Sequence, residues 1–98
     1  MRKPNERDRI RVMIYGKADC HLCEIAKKKI RQFHDEFSFE LIEVDITSDP
    51  SLYAQYAERI PLVFVNGHLV AKYRIDDKTF RKALKKAERG KGLFKSFF

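Results

Sequence analysis

The period of the hydrophobic pattern changes at Gly16, and this change constrains the fold more than any other feature of the sequence. Over residues 9–15 apolar side chains alternate with other residues, as in a β-strand. Over residues 20–34 they recur instead at helical spacing. The members of this helical stripe are Leu22, Ile25, Ala26, Ile30 and Phe33. Because a second apolar strand follows over residues 39–46, the sequence predicts a right-handed βαβ unit with parallel strands.

The second half of the chain continues to alternate helix and strand signals. A short helix is predicted over about residues 51–59, and Pro61 is expected to end it. Residues 62–65, with the sequence LVFV, form an uninterrupted apolar run that is typical of a buried strand. The Asn-Gly dipeptide that follows is a strong hairpin signal, so we expect residues 68–74 to return antiparallel.

A last helix is predicted after Asp76 and Asp77, whose carboxylates are suited to cap it. Gly90 is expected to end this helix. The predicted order is therefore strand, helix, strand, helix, strand, strand, helix, which is an α/β fold. The sequence shows no internal repeat and no low-complexity segment.

The length of 98 residues predicts a single domain over residues 1–98. Its core is expected over about residues 9–89, with flexible ends at 1–8 and 91–98. No stretch approaches the ~20 apolar residues that cross a bilayer, and the charged start lacks the apolar run of a secretory signal. Two cysteines are also fewer than a small secreted protein usually carries. We therefore expect a cytoplasmic protein that does not bind membranes.

The net charge of +7 is distributed unevenly along the chain. Residues 1–11 hold five basic and two acidic residues, and residues 72–98 hold ten basic and three acidic residues. The intervening segment holds six basic and nine acidic residues, so the basic excess belongs to the two ends. A basic surface can attract nucleic acid or anionic lipid. We favour a solvated surface that maintains solubility, and we expect no nucleic-acid partner; the basic, aromatic end of the chain leaves a docking role for another protein open.

The only two cysteines, Cys20 and Cys23, lie at the predicted junction of the first strand and the first helix. Asp19 is the expected N-cap of this helix. Free amides and the helix dipole at such a junction stabilise a thiolate, which is the nucleophilic form of cysteine. We therefore expect Cys20 to attack disulfides. Cys23 lies one turn further along and closer to the core, so we expect it to stay protonated until it resolves the mixed disulfide.

Two other interpretations of the cysteine pair stay open. Both thiols could be inert and buried, although the first turn of a helix after a polar loop tends to be exposed. A structural zinc site needs four nitrogen or sulfur ligands, and the three histidines, His21, His34 and His68, are scattered along the chain. We therefore expect no metal site within one chain. Two chains could still share a metal ion or an iron–sulfur cluster, which would make the protein a carrier or a binding module.

The segments YGKADCHLCEIAKK and RIPLVFVNGHLV together resemble a glutaredoxin-like member of the thioredoxin superfamily, and in particular its small members with a C-x-L-C motif. The resemblance extends over about residues 9–89. It implies a four-stranded mixed sheet flanked by three helices, and a thiol–disulfide oxidoreductase with Cys20 and Cys23 as its catalytic residues. It also implies that Pro61 is cis and that the backbone of Ile60 pairs with an extended substrate. A trans Pro61 that only ends the helix is the alternative.

The same resemblance implies a set of glutathione contacts. Lys17 would bind the glycine carboxylate, and Asp76 would receive the γ-glutamyl group unless it only caps the last helix. Tyr73 and Arg74 stand where glutaredoxins usually carry two glycines. His21, between the cysteines, is a candidate to modulate the thiolate when protonated. We expect no bound cofactor, with glutathione as a possible co-substrate. Disulfide-containing proteins are the expected substrates, and a reductase or glutathione is the expected electron donor. The protein is expected to be a monomer.

Overall fold

The computed structural model describes the backbone of residues 9–97 and the side chains of residues 9–89. The elements are β1 (Ile10–Gly16), α1 (His21–Gln32), β2 (Phe39–Asp45), α2 (Pro50–Tyr56), β3 (Leu62–Val65), β4 (His68–Lys72) and α3 (Asp77–Phe97). The four strands form one sheet in the order β2-β1-β3-β4. β1 pairs with β2 in parallel and with β3 antiparallel, and β3 pairs with β4 antiparallel. The predicted mixed sheet and the predicted order of elements are therefore confirmed.

The apolar side chains of the described residues form two clusters. The larger cluster joins β1 and β3 to α1 and α3, with Val12, Ile30, Val63 and Leu84 fully buried in it. Phe80 of α3 contacts the ring of Phe33 edge to face, with the ring centroids 5.0 Å apart. The smaller cluster is built around Cys23, Ile46 and Ile60, and side chains of α2 pack against it. The cysteines therefore belong to the α2 side of the core.

Three predicted boundaries are wrong. α2 ends at Tyr56 rather than near residue 59, because a turn follows over residues 57–59 in which the backbone N–H of Arg59 donates to the carbonyl of Tyr56 at 2.8 Å. β4 ends at Lys72 rather than at residue 74, because Tyr73 has a positive φ of 69°. α3 continues through Gly90 and Gly92 to Phe97, since each glycine costs a helix only about 1 kcal/mol relative to alanine.

The predicted ends of the chain fall partly outside the described residues. Residues 1–8 lie outside them, and so do the side chains beyond Arg89. The flexibility expected of residues 91–98 and the single-domain organisation therefore stay predictions. Among the described residues, no helix is both apolar enough and long enough to cross a membrane.

Candidate functional site

Cys20 itself caps the first helix, and the expectation that Asp19 does so is wrong. The Sγ atom of Cys20 accepts a hydrogen bond from the backbone N–H of Cys23 at 3.2 Å. Asp19 instead has a left-handed backbone with φ 59°, which turns the chain between β1 and α1. A sulfur that accepts from a free amide at the positive end of a helix dipole is held in the environment that favours its anion.

Cys23 occupies a contrasting environment in the first turn of α1. It is 1% exposed and packs in the smaller core cluster, whereas Cys20 is partly exposed. Both cysteines are free thiols. Burial, more than the neighbouring Cys20, raises the pKa of the Cys23 thiol to about 11. The pair therefore consists of one accessible sulfur at a helix N-terminus and one inner sulfur that stays protonated at neutral pH.

Gly16 lets Cys23 approach the end of β1. A Cβ atom on Gly16 would lie 3.0 Å from the Sγ atom of Cys23 and 3.3 Å from its Cβ atom, which is closer than real Cβ atoms tolerate without displacement. The sequence marked Gly16 only as the end of a strand. Its second role was not visible, because it depends on a helix packing back over the strand that precedes it.

A cleft opens behind Cys23, on the side of β2, with a volume of about 410 Å³. We call it the rear cleft; it is lined by Ile14, Gly16, Lys17, Ala18, Cys23, Glu24, Lys27, Glu43, Val44 and Asp45. The ammonium group of Lys27 lies in it, 2.9 Å from Glu24 and 3.5 Å from Glu43. Lys27 lies one helical turn after Cys23, and its charge lowers the pKa of that thiol against the opposing effect of burial. The spacing of four residues was the only sequence signal for this role of Lys27.

The Ile60-Pro61 peptide bond is cis, as the resemblance implied. Pro61 is fully buried, and Ile60 is 8% exposed. Ile60 packs with Cys23 in the smaller core cluster, and Cys20 packs against the same cluster. No hydrogen bond among the described residues involves the backbone of Ile60. The backbone N–H and carbonyl of Ile60 are therefore unpaired among the described residues. Tyr15 at the end of β1 also packs against this cluster.

The remaining predicted site residues lie at different points around the cysteines. Lys17 lines the rear cleft beside Cys23, and His21 is exposed at the start of α1. Asp76 caps α3, because its Oδ2 atom accepts from the backbone N–H and from the hydroxyl of Thr79, each at 2.9 Å. The amide and hydroxyl of Thr79 hold the pKa of this carboxyl below its usual value.

One side of the site was not foreseen. Ile25 was assigned to the buried stripe of the first helix, but it is 44% exposed. The buried positions of α1 are Cys23, Ala26 and Ile30. The face of the helix that packs on the core therefore runs through these three residues, and Ile25 lies outside it. A groove of about 140 Å³ results between α1 and the loop after β4. We call it the lateral groove; it is lined by Leu22, Ile25, Ala26, Lys29, Tyr73, Arg74 and Ile75.

The described residues bring together no group of three or more potential metal ligands. His34 stacks on Phe39, with ring centroids 4.0 Å apart, and His68 begins β4.

Comparison with known proteins agrees with this geometry. The sequence matches the family described as "Glutaredoxin-like domain (DUF836)" over residues 11–85. An uncharacterised protein of Mycobacterium tuberculosis is 23% identical over 78 residues, which cover 74% of this chain and 80% of that protein.

Solved structures show the same likeness. A Nitrosomonas europaea protein solved by NMR superposes with a TM-score of 0.68 and 26% identity, covering 86% of this chain and 99% of that one. A protein from X. campestris, solved by X-ray crystallography, superposes with a TM-score of 0.62 and 25% identity, covering 76% of this chain and 96% of that one. Thioredoxin from Fasciola hepatica gives a TM-score of 0.58 at 17% identity, covering 84% of each chain. This last similarity shows that the fold is thioredoxin-like.

Proposed function

Because this chain belongs to the glutaredoxin-like domain family (DUF836), we propose that it is a dithiol–disulfide oxidoreductase that uses Cys20 as nucleophile and Cys23 as resolving thiol. One observation carries the proposal. The Cys20 sulfur is partly exposed and accepts a hydrogen bond from a backbone amide at the start of α1. The Cys23 sulfur, one turn away, is buried and protonated. Such unequal environments separate an attacking thiolate from a second thiol held in reserve.

The reaction proceeds in two exchanges. The Cys20 thiolate attacks one sulfur of the substrate disulfide, so that a Cys20–substrate bond forms and the second substrate sulfur leaves as a thiolate that takes a proton. Cys23 then loses its proton and attacks the Cys20 sulfur. An internal disulfide forms and the first substrate sulfur leaves, so the dithiol has supplied two electrons. A thiol donor such as glutathione, or a dithiol reductase, restores the reduced pair, and no bound cofactor is required.

The backbone of Ile60 is the proposed docking point for the substrate chain. An extended segment that pairs with it by strand addition would lie across the smaller core cluster, in which Ile60 and both cysteines pack together. Lys17, beside Cys23, is the proposed partner for a substrate carboxylate or for the developing thiolate. The substrate in this proposal is a disulfide-bonded polypeptide, and the protein acts as a monomer.

Two serine variants test the proposed roles. Cys20→Ser should lower the rate of disulfide reduction to that of buffer, because the accessible nucleophile is lost. Cys23→Ser should still attack and should accumulate a mixed disulfide on Cys20, measured by intact mass spectrometry after an acid quench. Equilibration of the unaltered protein with glutathione buffers, followed by the same measurement, gives the reduction potential and shows whether a glutathione adduct forms.

Ala54→Ser is the matched control, since it adds a hydroxyl on an exposed face of α2 and should leave the rate unchanged. Unimpaired reduction by Cys20→Ser would contradict the assignment of the nucleophile. Absence of a trapped adduct in Cys23→Ser, while Cys20 remains reactive, would contradict the resolving role.

A further inference from the structure

The lateral groove is lined at one end by Leu22, which lies between Cys20 and Cys23 in the sequence. Its apolar side chains come from two elements, and two of them are unusually exposed for their size: Ile25 is 44% exposed and Tyr73 is 42% exposed. Large apolar side chains held at the surface beside a reactive atom mark a contact surface rather than a core. The proposed chemistry assigns no role to them.

Tyr73 is fixed as one wall of the groove. Its backbone is left-handed, with φ 69°, a conformation that residues with a Cβ atom rarely adopt. Its N–H donates to the carbonyl of Pro61 at 2.8 Å, and its hydroxyl donates to the carbonyl of Glu58 at 3.2 Å. The two hydrogen bonds hold the ring beside the Ile60-Pro61 segment, so the groove is formed before any ligand arrives.

The charge of the groove is unbalanced at Arg74. The two nearby carboxylates already have partners, because Asp76 accepts from Thr79 and Asp77 accepts from Lys29 at 2.7 Å. Arg74 makes no ion pair with any carboxylate of the described residues. The ammonium of Lys72 lies 5.6 Å from the centroid of the Tyr73 ring and adds a second positive charge on this side.

We propose that the lateral groove receives the polypeptide segment next to the substrate disulfide, and that it selects an apolar side chain followed by an acidic one. The inference rests on the proposed oxidoreductase function. A segment paired with the Ile60 backbone runs alongside Pro61, and Tyr73 is bonded to Pro61, so the segment passes the groove within one or two residues of the attacked cysteine. An apolar side chain fills the space between Leu22 and Tyr73, and a carboxylate reaches Arg74.

This chemistry distinguishes a polypeptide from glutathione, which carries carboxylates but no apolar side chain to fill the groove. A basic segment is disfavoured, because it would bring like charge to Arg74 and Lys72. Arg74 and Tyr73 are in this sense specificity-determining residues, and neither takes part in the exchange of sulfur bonds.

Synthetic peptides with one cysteine disulfide-bonded to thionitrobenzoate test the selection. Cys20 attacks the peptide sulfur, a Cys20–peptide disulfide forms, and thionitrobenzoate leaves as a coloured thiolate whose absorbance gives the second-order rate constant. Three peptides differ only in the two positions after cysteine: Leu-Glu, Leu-Lys and Ser-Glu. The unaltered protein should react about fivefold faster with Leu-Glu than with Leu-Lys, as a partly exposed ion pair provides, and Ser-Glu should also be slower.

Arg74→Glu should reverse the order of the Leu-Glu and Leu-Lys peptides, and added salt should shrink the difference in both proteins. Lys86→Glu, which makes the same change in net charge at an exposed position of α3, should keep the original order. Equal rates for all three peptides, or an unchanged order in Arg74→Glu, would overturn the groove as a selector while leaving the oxidoreductase intact. No release of thionitrobenzoate from any peptide would instead overturn the proposed function itself.

Discussion

The two cysteines are chemically identical in the sequence, and their neighbours make them different. The sulfur of Cys20 accepts a hydrogen bond from a backbone amide in the first turn of α1. Cys23 is covered by the end of β1, where Gly16 leaves room for its sulfur. Against the effect of burial, the pKa of this thiol is lowered by a hydrogen bond from the backbone of Lys17 and, less strongly, by the charge of Lys27, both of which line the rear cleft. The rate at which Cys23 resolves a mixed disulfide should therefore depend on the rear cleft as well as on the thiol itself.

Replacement of Lys27 by methionine tests this dependence. In the unaltered protein the resolving rate should rise with pH from 7 to 10, because only the thiolate of Cys23 attacks and burial holds its pKa above the ordinary value. Lys27→Met removes a positive charge that lowers this pKa, so less thiolate exists at any lower pH. We expect resolution to slow about threefold at pH 8, as a partly screened charge implies, and the profile to move to higher pH.

The measurement is rapid-quench mass spectrometry of the decaying mixed disulfide from pH 7 to pH 10. Lys28→Met is the matched control, because it removes the same charge from the next residue, which is exposed and outside the rear cleft. Identical profiles for Lys27→Met and the unaltered protein would refute the electrostatic role.

At this scale the sequence predicted the place of the cysteine pair in the fold better than the contacts around it. The unequal roles proposed for Cys20 and Cys23 follow from their positions at the start of a helix, and their unequal burial agrees with that expectation. The sequence favours Asp19 as the cap because its carboxylate can accept from the free amides of the first turn, but the sulfur of the next residue, Cys20, fills this role. Contacts such as that of Gly16 with Cys23 depend on packing between elements, which hydrophobic periodicity does not encode.

Among the elements, the loop between β4 and α3 departs most from regular backbone. It turns through Tyr73 in a left-handed conformation, which costs a residue with a Cβ atom about 1–2 kcal/mol. Because glycine avoids this cost, Tyr73→Gly should be more stable than Tyr73→Ala by about 1 kcal/mol, even though both lose the ring and its hydroxyl. Chemical denaturation of the reduced proteins measures the difference in the free energy of unfolding.

The adjacent strand residue Lys72 supplies the comparison for this prediction. Its φ is not positive, so Lys72→Ala should be more stable than Lys72→Gly, the reverse of the order expected at Tyr73. If alanine is also the more stable replacement at Tyr73, the loop is not held in the left-handed form in solution.

The types and order of the elements were predicted correctly because hydrophobic periodicity identified β1 and α1, and an apolar run followed by an Asn-Gly turn identified β3 and β4. Their ends were not. α2 stops short at a turn that begins at Tyr56, and α3 passes a glycine that was expected to end it. In both cases an end was assigned from the residue type alone, whereas the structure balances that residue against its neighbours. The lateral groove was missed for the same reason, since it lies between two elements that are about 50 residues apart in the sequence.

In the molecule as a whole, the described core lies within residues 10–87, with Ile10 at one end and Ala87 at the other. Deletion of residues 90–98 should therefore leave the midpoint of thermal unfolding within a few degrees of its original value and leave disulfide reduction unchanged. Leu84→Ala, a truncation of a fully buried side chain in α3, should by contrast cost about 2–5 kcal/mol. Loss of cooperative unfolding on deletion would contradict the core boundary predicted at residue 89.

The burial of Cys23 also bears on how the protein meets hydrogen peroxide. Under the proposed roles, a peroxide should reach the partly exposed Cys20 first and convert its thiolate to a sulfenic acid, which further oxidant would carry to an irreversible sulfinic acid. Cys23 lies one helical turn away, hidden from the oxidant yet able to condense with the sulfenic acid, releasing water and forming the internal disulfide. Because Gly16 and its neighbours bury the Cys23 sulfur, that thiol should remain available to return Cys20 to a reducible disulfide.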